Sequence, residues 1–184
     1  NKYNISSTWE IVGLLFCKNK EDILKYLPTE KPSYTNIELS PYNDIDSIGY
    51  DYFDDPYYFG RHLVDNIIED GNQEIATHTF GHYYCLEKGQ SVNQFRADLV
   101  SAVSIAKDSN TKLSSIIFPR NQYSIEYLDV CKSLGICVYR GNENHWAYES
   151  HNGAENTKCK RLFRLFDSYF NLSGHHTYKI PEII

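Results

Sequence analysis

Methionine is missing from all 184 residues, position 1 included. The expectation is a chain that begins after processing or is cut from something longer. Paired cysteines are missing as well. The five (Cys17, Cys85, Cys131, Cys137, Cys159) are odd in number and contain no C-x-x-C. That excludes a fully paired disulfide scaffold and favours a reducing, cytoplasmic setting. Four of them lie in apolar or helix-like runs, where a free thiol behaves as a small hydrophobe. No excess of positive charge is present: 18 Lys and Arg against 24 Asp and Glu give −6 and a pI near 5.6. A nucleic-acid partner held by a basic face is therefore not expected. No long apolar run, signal peptide or lipidation motif is seen, so no membrane segment is expected in this chain. Repeats, low-complexity tracts and an obvious linker are also lacking.

What remains is a globular composition, 41% hydrophobic and 23% charged, of a length suited to one domain over 1–184. Sixteen tyrosines lift the aromatic share to 15%, which fits either an aromatic-rich core or planar faces beside a ligand. "SSTWEIVGLLF" (6–16) reads as a buried strand and "NKEDILKYLP" (19–28) as a short helix. Residues 29–56, with three prolines, read as a long irregular loop. "PYYFGRHLVDNIIEDG" (56–71) predicts a helix with Asp54 and Asp55 as caps, Pro56 at its first position and Gly71 at its stop. Its inward stripe would be Phe59, Leu63, Val64, Ile67 and Ile68, and His62 would face solvent. "QEIAT" is a strand. The following helix opens on Ser91 and Gln94 at capping-box spacing and buries Phe95, Leu99, Ala102, Val103 and Ala106. Strand 113–118, a helix with Leu128, Cys131 and Leu134 inward, and strand 136–139 complete the alternation. "KCKRLFR" (158–164) reads as the charged side of an amphipathic helix. Alternating strands and helices imply right-handed crossovers, parallel pairing and an α/β layered or barrel-like fold.

Three polar clusters, "HTFGH" (78–82), "PRNQ" (119–122) and "RGNE" (140–143), each follow a strand. In parallel α/β folds those strand ends gather on one face, where ligands bind. Two imidazoles four residues apart suit a borderline-soft metal such as zinc. Bound zinc brings the pKa of its water near 7 and polarises a carbonyl, which suits hydrolysis of an amide or ester. The zincin pattern does not apply, because Thr79 stands where that motif needs Glu. Spacing alone leaves two readings open: a metal pair, or structural histidines in a strand-end turn.

"QEIATHTFGH" resembles the second motif of the polysaccharide deacetylases (carbohydrate esterase family four, the chitooligosaccharide deacetylase homology domain). "STWEIVG" is similar to that family's strand upstream of the motif, and "IIFPRNQ" falls where the family has Pro-aromatic-Gly. The order of all three matches over residues 6 to about 140. The resemblance implies a partial, parallel-strand distorted (β/α) barrel that removes acetyl groups (N-acetyl, possibly O-acetyl) from a sugar or polysaccharide with a divalent metal, zinc foremost. It would make His78 and His82 metal ligands and let Thr79 orient the His82 side of the loop. Pro119 would stiffen the third-motif loop, and the Arg120 N–H would stand at the oxyanion position. Thr79, Pro119, Arg120 and Arg140 would line the substrate. Arg120 and Asn121 depart from the family's aromatic and Gly. The family's acidic motif, holding the base and third ligand, would lie ahead of Thr8, where this sequence has "NKYNISS". "YFDDP" imitates it in the wrong order. His175 is the candidate general acid, in a "FNLSGHHTY" that makes a poor buried strand. His145 and His151, beside Trp146 and Tyr148, could line a sugar groove or simply pack. The alternative to a deacetylase is a non-catalytic carbohydrate-binding relative.

Overall fold

In the computed structural model, which describes residues 5–174, strand β1 covers Thr8–Ile11, β2 Glu74–Thr77, β3 Ser115–Ile116 and β4 Val138–Tyr139. They form a four-stranded sheet in the order β1-β2-β3-β4, every neighbouring pair parallel. Helices α1 (Lys20–Tyr26) and α2 (Arg61–Asp70) lie between β1 and β2. Helix α3 (Val92–Asp108) joins β2 to β3, and α4 (Ile125–Ser133) joins β3 to β4. The register places Ile11 beside Thr77, Thr77 beside Ile116 and Ile116 beside Tyr139. His78, the loop after Ile117 and Arg140 therefore all leave the sheet at the same end. Among the described residues β1 and β4 are the sheet's two edges, and the sheet is not closed into a barrel.

The chain divides into two compact units, Asn1–Gly141 and Asn142–Ile184. In the first, α3 supplies the main packing surface. Phe95, Leu99, Ala102 and Ala106 are buried as the periodicity predicts, with Ile105 added and Val103 half-buried. Phe95 stacks at 6.0 Å on Phe118 and meets Tyr83 and Tyr127 edge-on. Each such fully buried side chain contributes roughly 1.5–3 kcal/mol. The Ser91–Gln94 capping box is formed in both directions.

Several boundaries differ from the sequence expectation. Residues 6–16 are not one buried strand: Thr8, Trp9 and Glu10 are exposed on an edge strand, and Gly13–Phe16 turns into a 3-10 segment. Gly13 makes that turn possible, since a Cβ there would stand 2.9 Å from the Phe80 Cα. Helix α2 starts at Arg61 with Gly60 as its N-cap, not at Pro56. Asp54 and Asp55 do not cap it; their carboxylates accept the Tyr50 and Gly49 N–H groups at 3.3 and 3.4 Å, within the preceding loop. Being short, α2 buries Val64 and leaves Leu63 and Ile68 exposed. In α4 the inward residues are Tyr127, Val130 and Cys131, while Leu128 and Leu134 are only partly covered. Cys17, Cys85 and Cys131 are buried free thiols, whereas Cys137 and Cys159 are exposed.

The second unit contains α5 (Lys158–Phe170). Its buried side is polar. Asp167 accepts the Tyr148 hydroxyl at 2.6 Å, and Arg164 donates to the Ala147 carbonyl and to Asn156. His145 stacks on Phe163 at 5.2 Å, with Trp146 tilted against the same ring. Leu162, Leu165, Phe166, Tyr169 and Phe170 are exposed, as are Lys158 and Arg161, so the outward side of the helix is both apolar and charged. Among the described residues no helix is long and apolar enough to cross a membrane.

Candidate functional site

β2 ends at Thr77, and the next five residues form a tight turn with two non-glycine residues in the left-handed region, Thr79 (φ 65°) and His82 (φ 58°). Such residues are rare there and cost energy that the surroundings must supply. The surroundings here are specific. Asp98, fully buried on α3, accepts the Phe80 N–H at 2.7 Å, the Gly81 N–H at 3.2 Å and the Tyr42 hydroxyl at 2.5 Å. The Thr79 hydroxyl adds a further bond to the same carboxylate and accepts the Tyr83 N–H at 2.7 Å. Burial pushes the Asp98 carboxyl up to about 6 while these donors pull it down, so it is ionised at neutral pH. Gly81 is required because a Cβ would stand 2.6 Å from the Tyr42 Cζ.

The turn brings the His78 and His82 rings to 4.7 Å between centroids. His78 Nδ1 lies 2.7 Å from the Ile117 carbonyl, which can only accept. Nδ1 therefore carries the proton and Nε2 keeps its lone pair. Glu10 stands 3.7 Å from the same Nδ1, beyond hydrogen-bond distance, and acts on the ring only through its charge. His82 Nδ1 is 3.0 Å from the Tyr84 hydroxyl. Burial depresses both imidazoles, with the His78 and Arg120 charges adding to the effect on His82, which falls to about 4. Both rings are neutral at pH 7, the state a divalent metal needs, so the pair fits as two ligands. Among the described residues no third His, Cys, Asp or Glu completes a group with metal-holding geometry.

The loop after β3 borders this pair. Arg120 (φ 54°) and Asn121 (φ 53°) are consecutive left-handed residues. They are held by the Asn121 N–H to Phe118 O bond, the Gln122 N–H to Pro119 O bond, and the buried Gln122 side chain. That amide accepts the Leu86 N–H at 3.1 Å and donates to Glu87 at 2.9 Å. Arg120 lies 4.2 Å above the Tyr84 ring and 3.3 Å from Glu87. Tyr84 in turn meets the His82 ring edge-on at 5.1 Å. Arg140, just past β4, donates to Asn121 Oδ1 at 2.8 Å and stands 3.8 Å from Glu10.

The structure thus gathers His78, His82, Arg120 and Arg140 at one end of the sheet. Thr79 and Pro119 belong to the same loops and are buried. His175 lies outside the described residues. Glu10, Asp98 and Tyr84 complete the site, and the sequence reading missed them. Two of the three left a signal: Glu10 is a lone charge inside an apolar strand, and Asp98 interrupts the inward stripe of α3.

No protein-family model matches the chain, and no curated protein matches it. Among solved structures it is similar to a CE4 family pseudoenzyme from Bacillus anthracis, at 15% identity and a TM-score of 0.37 over 74% of this chain and 42% of that one. A mutant of that pseudoenzyme with restored enzymatic activity gives 16%, 0.36, 74% and 42%. Another mutant gives 15%, 0.37, 73% and 42%. The chain spans 42% of the length of these structures.

Proposed function

We propose that this chain is a carbohydrate-binding relative of the polysaccharide deacetylases, which receives an acetylated sugar at the strand-end face and does not release acetate by itself. The observation that carries the reading is the His pair. Two neutral imidazoles stand 4.7 Å apart, one with its Nε2 lone pair kept free by the Ile117 carbonyl. A catalytic zinc centre takes three protein ligands and a water, and the described residues would offer two. His78 and His82 would hold the metal, with the His78 tautomer fixed by the Ile117 carbonyl. Arg120, Arg140 and the Tyr84 ring would line the sugar. A bound divalent metal would supply Lewis acidity toward an acetyl oxygen.

A second reading, metal-dependent hydrolysis of the acetyl group, is favoured by the same His78 tautomer, which suits a ligand in a working centre as well as a vestigial one. It requires an acidic base and a third ligand in addition to the two histidines. Zinc uptake, binding of N-acetylated oligosaccharides by saturation-transfer NMR, and acetate release, all measured on this chain, separate the two. Binding without acetate above the no-protein control is the expected result. Turnover that stops on chelation would replace the first reading by the second, and absence of both zinc and sugar binding would remove both.

A further inference from the structure

Two guanidinium groups bracket the His pair, and each is the outer member of its ion pair. Arg120 neighbours His82 through Tyr84, with its side chain 46% exposed against 14% for Glu87. Arg140 neighbours His78 through Glu10, at 55% against 34%. The acids do not use up these cations. Glu87 Oε1 already accepts from Gln122 at 2.9 Å, and its contact with Arg120 is a single 3.3 Å approach. Glu10 and Arg140 are 3.8 Å apart, beyond hydrogen-bond distance. Arginine presents five donors in a planar fork. The Tyr84 ring lies 4.2 Å from the Arg120 guanidinium carbon, and the Asn121 amide oxygen takes one arm of Arg140 at 2.8 Å. Outward-facing edges of both forks therefore remain.

The backbone adds a second, independent observation. Arg120 and Asn121 are both left-handed, although glycine would adopt that turn without strain. The conformation at 120 delivers a particular side chain to the Tyr84 face, and such outliers concentrate at ligand clamps.

We infer that this face prefers acetylated sugars that also carry a carboxylate, with Arg120 and Arg140 as the groups that recognise it. The inference rests on the carbohydrate reading and narrows it to acidic saccharides. Planar, bidentate pairing with a carboxylate is what an oriented guanidinium offers over a neutral hydroxyl-only sugar.

The experiment is calorimetric titration of the whole chain, in chelator and again with zinc. The two probes are an oligosaccharide alternating N-acetylglucosamine with glucuronate, and an N-acetylglucosamine oligomer of equal length. The acidic probe should bind about tenfold tighter or more, since charge-assisted hydrogen bonds are of that strength. The preference should shrink as salt rises and persist in chelator. Arg120→Asn is the chosen variant because Asn tolerates the left-handed region. It and Arg140→Gln should each bring the ratio of the two affinities toward one, with Arg120→Lys between wild type and Arg120→Asn. Thermal unfolding checks each variant, and Arg140→Gln decides alone if the loop variants fail to fold. Equal affinity for the two probes in wild type overturns the inference while leaving carbohydrate binding intact. A preference that survives in the double variant overturns the assignment to these arginines. If neither probe binds, this inference and the carbohydrate reading fall together, and zinc uptake stands as a separate result.

Discussion

Replacing Asp98 is the most informative single perturbation of this protein. Its carboxylate is the shared acceptor for the Phe80 and Gly81 N–H groups and the Tyr42 hydroxyl, with the Thr79 hydroxyl as a fourth donor. Asp98→Ala orphans these donors in a region closed to water, and each buried unsatisfied group costs about 1–3 kcal/mol. The loop can repair some of them by shifting, so the net loss should be about 3–5 kcal/mol, below the sum over all four donors. Asp98→Asn keeps the shape and one acceptor oxygen while Tyr42 turns its hydroxyl to accept. It should cost about half as much. A second consequence separates a local device from a general one. The same bonds hold Thr79 and His82 in left-handed conformations that cost about 1–3 kcal/mol each. Without Asp98 the turn relaxes and the His78 and His82 rings separate. Urea unfolding measures the first effect, and zinc titration against a chromophoric chelator measures the second. Zinc affinity should fall at least about tenfold in Asp98→Ala. Unfolding within about 1 kcal/mol of wild type, or unchanged zinc affinity, would refute the view that this carboxylate assembles the site.

Three further outcomes are expected. Zinc content by elemental analysis should drop severalfold in His78→Ala and vanish in His78→Ala, His82→Ala, and retained stoichiometric zinc in the double variant would remove the pair as ligands. Gly81→Ala should destabilise by roughly 1–3 kcal/mol, because its methyl meets the Tyr42 ring, and a neutral result in urea unfolding would show that the ring gives way. Metal-free stability should have a concealed pH dependence. Asp98, raised to about 6 from 3.8, stabilises fully below pH 3.8 and loses that contribution as pH rises through 6. His82, depressed from 6.5 to about 4, does the reverse: the unfolded chain binds its proton first, so stability increases from pH 4 to 6.5. The two oppose each other, and Asp98→Asn should therefore show a steeper rise between pH 4 and 6.5 than wild type. A slope no steeper than wild type's would show that Asp98 does not titrate in this window.

How much of this was legible depended on whether a residue acts locally or through a distant partner. Helix α3 was readable because Ser91, Gln94 and the Phe95–Leu99–Ala102 spacing are local statements about one element. The parallel order was readable because each strand is followed by a helix, and with it the common end for "HTFGH", "PRNQ" and Arg140. The start of α2 was not. Asp54 and Asp55 look like caps beside Pro56, but their oxygens are taken by Tyr50 and Gly49 across a loop whose path no local rule supplies. Thr79 was read as orienting its turn through a hydrogen bond, and its hydroxyl does accept the Tyr83 N–H. The carboxylate behind it, Asp98, lies 19 residues on. A charge on an apolar stripe states that a partner exists without saying which. Glu10 is the same case, since its partners His78 and Arg140 come from β2 and from the far side of the sheet.

The choice between a ligand site and ordinary structural histidines can be argued from where the backbone is strained. Among the described residues six non-glycine positions have positive φ. Asn110 and Asn171 end helices, where Asn adopts that conformation readily. The other four, Thr79, His82, Arg120 and Asn121, fall in just two loops, and both loops leave the same end of the sheet. At about 1–3 kcal/mol each, they weigh heavily against a net stability of about 5–15 kcal/mol. The fold offsets them with a fully buried carboxylate under one loop and a buried glutamine under the other. A turn needed only to connect β2 to α3 would relieve its strain with glycine at 79 and 82, as Gly71 and Gly135 do after α2 and α4. Glycine at 82 would remove the ring that faces His78, and glycine at 120 would remove the guanidinium over Tyr84. The strain is retained where the side chain it positions borders the imidazole pair, which is the arrangement expected of a binding face and not of a connecting turn.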